Sequence, residues 1–112
     1  MPEARLKSKL SVMAAIRLSQ GRGLFATVAR KGDEDAGAIL LKQNLLGAGF
    51  RVLTQVRTVE GKLGWMVGTG EEPVEEAAAD AYIARQIDRD WDIWVVEIED
   101  REGRNPFEGE SF

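Results

Sequence analysis

Two groups of carboxylates have the residue types and spacing that suit chemistry. Glu97 and Glu99 alternate along an extended, largely apolar segment, so both side chains project from one face, about 7 Å apart. Carboxylates at that separation can share acid–base work or hold a divalent ion. Asp33, Glu34 and Asp35 lie between Gly32 and Gly37, and a hard cation takes several such oxygens on a flexible turn. EF-hand spacing is absent, however, and a solvated turn is the simpler reading. For Glu97 and Glu99 the simpler reading is an acidic strand edge, continued by Asp100 and Glu102, with Arg51 and Arg57 as cross-strand partners. A carboxylate-based enzyme or metal-binding protein would need Asp33, Asp35, Glu97 and Glu99 to converge.

What is missing excludes more than what is present suggests. The 112 residues contain no Cys and no His. Disulfides, zinc ribbons, iron–sulfur sites, thiol nucleophiles and imidazole bases are therefore out of reach. The stretches Gly21-Arg22-Gly23, Gly47-Ala48-Gly49 and Gly68-Thr69-Gly70 complete neither a P-loop nor a dinucleotide fingerprint. Glu71 and Glu72 follow the third and would repel phosphate. All three read as turns, and no catalytic residue, cofactor or metal ligand is assigned.

Charge is more informative than its net value of -4. Through Lys31 the side chains sum to +6, from Arg5, Lys7, Lys9, Arg17, Arg22, Arg30 and Lys31 against Glu3 alone; the remainder carries -10. Such a split fits intramolecular neutralisation, an acidic partner or self-pairing. Arg5, Lys7, Lys9 and Arg17 are the candidate partner-binding bases. Nucleic acid is a weaker expectation, because Phe25 alone offers a stacking surface nearby and the whole domain is acidic. Trp65 and Trp94 sit in strand patterns that core packing explains, whereas Trp91, between Asp90 and Asp92, is the best single contact residue.

The elements that must position these groups follow from periodicity. Residues 4–19 carry Leu6, Leu10, Val12, Met13 and Ile16 on a helical arc, with Leu6, Leu10 and Met13 expected to face a core, and the glycines at 21 and 23 end the helix. Leu24–Arg30 reads as a strand, residues 31–37 as a turn, and Ala38–Lys42 as the return strand of a hairpin. Phe50–Val59 alternates, with Phe50, Val52 and Val56 on one side and Arg51, Gln55 and Arg57 on the other. Leu63, Trp65 and Val67 form the apolar side of a fourth strand. Pro73 opens a helix running to about Ile87, with one stripe of Val74, Ala77, Ala78, Ala81 and Ala84 to approach a sheet closely and a second of Ala79, Ile83 and Ile87. Asp92–Glu99 is apolar on both faces in its first half, as a central strand requires.

The expected fold is therefore one α+β domain, residues 1–104, in the order α-β-β-β-β-α-β. It holds a mostly antiparallel sheet of about five strands with two helices, and residues 105–112 form a polar C-terminal tail. The apolar run Val12–Ile16 is too short for a secretory core and no run approaches the ~20 residues of a membrane span. A cytoplasmic location without membrane contact is expected.

Two stretches carry a resemblance. Phe25-Ala26-Thr27-Val28-Ala29-Arg30-Lys31-Gly32-Asp33-Glu34-Asp35-Ala36-Gly37-Ala38, and Ala79-Asp80-Ala81-Tyr82-Ile83-Ala84-Arg85-Gln86 continuing into Asp92–Arg101, are similar to an uncharacterised family of short alphaproteobacterial proteins, domain of unknown function 1491. The resemblance covers most of residues 5–104. Trp91 and Glu34 stand where the family pattern has proline, a difference of turn geometry. It implies a compact bacterial domain and transfers no functional residue. The expected role is a small non-enzymatic interaction module whose partner is another protein or a second copy of itself.

Overall fold

A computed structural model describes residues 7–107 and 109–112. Among these, helix α1 (Ser8–Gly21) is followed by strands β1 (Ala26–Arg30), β2 (Ile39–Asn44), β3 (Phe50–Arg57) and β4 (Leu63–Val67). Helix α2 (Glu76–Arg89), strand β5 (Trp94–Glu99) and a two-residue strand β6 (Glu110–Ser111) complete the order. The fold is α+β, with the helices on opposite faces of one sheet. Its strand order is β1-β5-β2-β3-β4-β6. The β1–β5, β2–β3 and β3–β4 pairs are antiparallel, while β2–β5 and β4–β6 are parallel.

The expected hairpin of β1 and β2 does not form, because β5 lies between them and pairs with both. The intervening turn straddles the start of β5: Asp33 N–H donates to the Asp92 carbonyl at 3.0 Å, and Trp94 Nε1 donates to the Asp33 carbonyl at 2.7 Å. Gly32 and Gly37 both lie against the Asp92 carbonyl, where an added Cβ would come within 2.2 and 2.3 Å of it. The turn can cross that closely only with glycine at these positions. Insertion satisfies β5 itself, since a strand apolar on both faces needs neighbours on both edges and cover above and below.

On one face α1 contributes Val12 and Ile16 to a core with Leu41, Trp65, Trp94 and Val96. On the other, α2 sets Ala79 and Ile83 against Leu40, Val52, Ile93 and Val95. The stripe Ala79, Ile83 and Ile87 thus meets the sheet, and Ala77, Ala81 and Ala84 face outward, the reverse of the expected assignment. Pro73 precedes α2 rather than opening it. Val74 instead exchanges two backbone hydrogen bonds with Phe50, at 2.7 and 2.8 Å, before the helix starts.

Helix α1 begins without a side-chain cap; its first N–H groups, of Ser8 and Lys9, donate to the carbonyls of Asp35 and Glu34 at 3.3 and 3.0 Å. The turn therefore replaces the usual capping side chain. At the other end Gly23 N–H donates to the Gln20 carbonyl and Leu24 N–H to the Ser19 carbonyl, with Gly23 at φ 79°. These are the two bonds of a Schellman ending, which needs a left-handed residue at that point. In the segment expected as a polar tail, Phe107 packs on Trp65 with ring centroids 5.1 Å apart, and β6 pairs with β4.

Candidate functional site

The acidic turn and the basic start of α1 meet each other. Lys7 Nζ lies 3.5 Å from Asp35, Lys9 Nζ 3.3 Å from Glu34, and Lys31 Nζ 3.7 Å from the other Glu34 oxygen. The Lys9 hydrogen bond, followed by the charges of Lys9 and Lys31, holds the Glu34 carboxyl below its ordinary pKa. Asp33 turns inward on its own loop, where Oδ2 accepts the N–H groups of Asp35 and Ala36 at 3.2 and 2.9 Å. That Asx turn is the solvated-turn geometry. Of the candidate bases, Lys7 and Lys9 are thus held by acids of the same chain, Arg17 is exposed on α1, and Arg5 lies outside the described residues.

A cavity of ≈ 230 Å³ opens beside this clamp, lined by Lys7, Ser11, Asp35, Gln55, Arg57 and Leu63. Both of its cations are engaged: Lys7 with Asp35, and Arg57 through a 2.7 Å bond from Nη1 to the Gly61 carbonyl.

Glu97 and Glu99 lie far from this turn. Asp33 is bonded to Asp92, five residues before Glu97, and at ~3.3 Å per extended residue that separation is about 16 Å. The faces differ as well, since the turn packs at α1 whereas Glu97 points to α2. The four candidate acids therefore do not converge. Among the described residues no three His, Cys, Asp or Glu side chains gather to hold a metal ion.

Nor do Arg51 and Arg57 partner these acids, because β3 is separated from β5 by β2. The partner of Glu97 is Lys42, directly across the parallel β2–β5 pairing at 3.7 Å. Lys42 is only 6% exposed, and its Nζ donates to Asp80 at 2.7 Å and Glu76 at 2.8 Å. The ammonium also stands 5.2 Å from the centre of the Phe50 ring. Burial is the largest single influence on this lysine and would lower its pKa. The bonds to Asp80 and Glu76 and the charge of Glu97 together outweigh it, and the pKa is raised. A lysine held protonated in this way ties α2 to the sheet and is a poor nucleophile.

Asp100, expected on an exposed acidic edge, is buried. It accepts Arg104 Nε at 2.8 Å and the N–H groups of Glu102 and Arg104 at 3.0 and 3.3 Å. The Arg104 bond is the main reason that its pKa is lowered. Beside it the buried Gln43 donates to the Gly103 carbonyl and accepts from Arg51 Nε, at 2.8 and 2.9 Å. These contacts close the end of the sheet.

Trp91 is 76% exposed. Arg30 stacks on its ring at 5.0 Å while Nη1 donates to the carbonyls of Trp91 and Ile93, at 3.0 and 2.7 Å. The outward face of α1 is the larger apolar exposure. Ser8, Val12, Ala15, Ile16 and Ser19 form the buried side of the helix, with Val12 and Ile16 in the sheet core, so Leu10, Met13 and Leu18 remain 54%, 44% and 45% exposed. This corrects the expectation that Leu10 and Met13 face the core; Leu6 lies outside the described residues. Ala14 and Arg17 share that outer arc, and Phe25 is exposed just beyond the helix end.

A model of the family described as protein of unknown function (DUF1491) matches residues 6–108. The chain belongs to that family. It is similar to a DUF1491 protein from Caulobacter crescentus seen in a crystal structure, at 38% identity and TM-score 0.85, covering 96% of this chain and 100% of the other. An NMR structure of a DUF1491 protein from the same organism gives 38% identity and TM-score 0.86, over 98% and 99% of the two chains. A solution structure of a protein from A. tumefaciens gives 30% identity and TM-score 0.80, over 93% of each. No curated protein matches the chain. Membership of DUF1491 fixes the fold and assigns no activity to any residue.

In this DUF1491 chain, sequence reasoning missed two clusters that carried visible signals. Lys42 follows the apolar residues Ile39–Leu41 on the Leu40 face, and Glu76 and Asp80 are spaced i,i+4 on one side of α2. Asp100 and Arg104 have the same spacing. Among the described residues no helix is long and apolar enough to cross a membrane.

Proposed function

We propose that this protein is a non-enzymatic interaction module that engages another polypeptide through the outward face of α1. The observation that carries this reading is the exposure of Leu10, Met13 and Leu18 on a helix whose opposite face is already seated on the sheet. Three large apolar residues along one exposed helical face are what a docked helix or a second copy would cover. A shared carboxylate site draws no support from the positions of Asp33, Asp35, Glu97 and Glu99, which lie at opposite faces of the sheet. Binding of nucleic acid is disfavoured by the pairing of Lys7 and Lys9 with Asp35 and Glu34.

Comparison of the wild type with a Leu10→Ser, Leu18→Ser double variant tests the reading. Sedimentation velocity is expected to show self-assembly, or affinity capture a retained polypeptide, that the variant loses while its circular dichroism is unchanged. A monomeric wild type that retains the same polypeptides as the variant would overturn it.

A further inference from the structure

The outer face of α1 has a charge bias that bears on its occupant. The sequence Ser8–Gly21 contains Lys9 and Arg17 and no acid. Lys9 is paired with Glu34 at the start of the helix. Among the described residues no acid forms an ion pair with Arg17 or Arg22. Arg17 lies within the apolar stripe itself, four residues after Met13 and next to Leu18. From Leu10 to Leu18 the stripe runs about 12 Å, some two helical turns. Ala14, midway, leaves a dip between the two leucines into which a facing side chain can settle.

A second copy fits this surface poorly. Two α1 helices related by a twofold axis would bring their own basic side chains together, and the acids beside the helix start, Asp35 and Glu34, are already engaged by Lys7 and Lys9. Docking α1 of one copy on α2 of the next joins unlike surfaces on opposite faces of the sheet, a head-to-tail contact that builds rings or filaments and never a closed pair. An anionic bilayer is also disfavoured, because residues 32–112 carry -10 and would be repelled.

Resting on the reading of α1 as a docking face, we propose that its occupant is an acidic amphipathic helix of another protein, seated over Leu10, Met13 and Leu18 with a carboxylate on Arg17. The planar guanidinium donates two parallel hydrogen bonds to a carboxylate, and arginine and methionine are both enriched where proteins bind one another.

The test uses two labelled model helices of Leu and Ala, one with Glu and the other with Lys on the polar face, read by fluorescence anisotropy with the full-length protein. The acidic helix is expected to bind at least tenfold more tightly, and to weaken as salt rises. Arg17→Glu should reverse that preference, and Leu10→Ser with Leu18→Ser should abolish binding of both. Equal binding of the two helices, lost in the leucine variant, overturns the acidic partner and leaves the docking face standing. Equal binding by wild type and leucine variant overturns the docking face as well. Binding to vesicles containing phosphatidylserine in place of the acidic helix, or a dimer through α1, also overturns the proposal.

Discussion

The two helices cover opposite faces of one sheet, and they are not equally finished. Helix α2 presents Ala79 and Ile83 inward, exposes no apolar side chain larger than those of Ala77, Ala78, Ala81 and Ala84, and is tied down by Lys42 through Glu76 and Asp80. Helix α1 presents Val12 and Ile16 inward but keeps Leu10, Met13 and Leu18 in water, held at its start by exposed ion pairs. An ion pair at the protein surface adds little, whereas a buried lysine cannot lose its acids without cost. Folding alone therefore accounts for the outer surface of α2, while that of α1 has apolar residues in excess of what folding uses.

The contrast can be tested by substitution. Ile83→Ala on the inward face of α2 should cost about 2–4 kcal/mol in urea unfolding, the range for truncating a buried aliphatic side chain. Lys42→Ala should cost about 1–3 kcal/mol, as the packed stem and the charge are lost together. Lys42→Met should cost about 1 kcal/mol or less, because Glu76 and Asp80 are more than half exposed and rehydrate. A Lys42→Met variant as unstable as Lys42→Ala would show that the charge, not the stem, anchors α2.

The pH response separates the two charged clusters of the sheet. The pKa of Lys42 is raised by folding, so its contribution is complete below the ordinary lysine value of ~10.4 and fades as pH climbs through the folded value. That of Asp100 is lowered, so its contribution is complete above ~3.9 and is lost as pH falls towards the folded value. The stability gap between wild type and Lys42→Met should narrow in strong alkali. The gap to Asp100→Asn should narrow in acid, both read by urea midpoints across pH.

The smallest stability effects belong to α1. Leu10→Ser with Leu18→Ser should shift unfolding by no more than about 0.5 kcal/mol, as surface changes do, while removing association. Lys9→Ala should leave the urea midpoint unchanged at moderate salt, since its ion pair is exposed. A large loss at either site would mean that α1 is as complete as α2.

Much of this arrangement was legible in sequence. The alternation of Ile93 and Val95 against Trp94, Val96 and Ile98 placed β5 inside a sheet, and Gly23 ended α1 where the Schellman bonds form. The separation of β1 from β2 is not legible, because a short glycine-rich turn reports only that the chain reverses. Which strand fills the space between is decided by contacts some 60 residues away, such as Asp33 with Asp92. For α1, nearly every turn carries apolar residues on two sides, so periodicity could not choose between Leu10 and Val12 as the core face. At the candidate site, Lys7 and Asp35 stand 28 residues apart in sequence as separate charges, and the fold makes them one clamp.

By itself the sequence determined the chemical repertoire and the main elements: no thiol or imidazole, an uneven charge, two helices and the five strands β1 to β5. These follow from composition and from local period, which need no distant contact. Tertiary structure alone decided the insertion of β5, the burial of Lys42 among three acids and the outward turn of Leu10, Met13 and Leu18. Each depends on which surfaces meet across the sheet, and that is set by the summed burial of both faces rather than by any one segment.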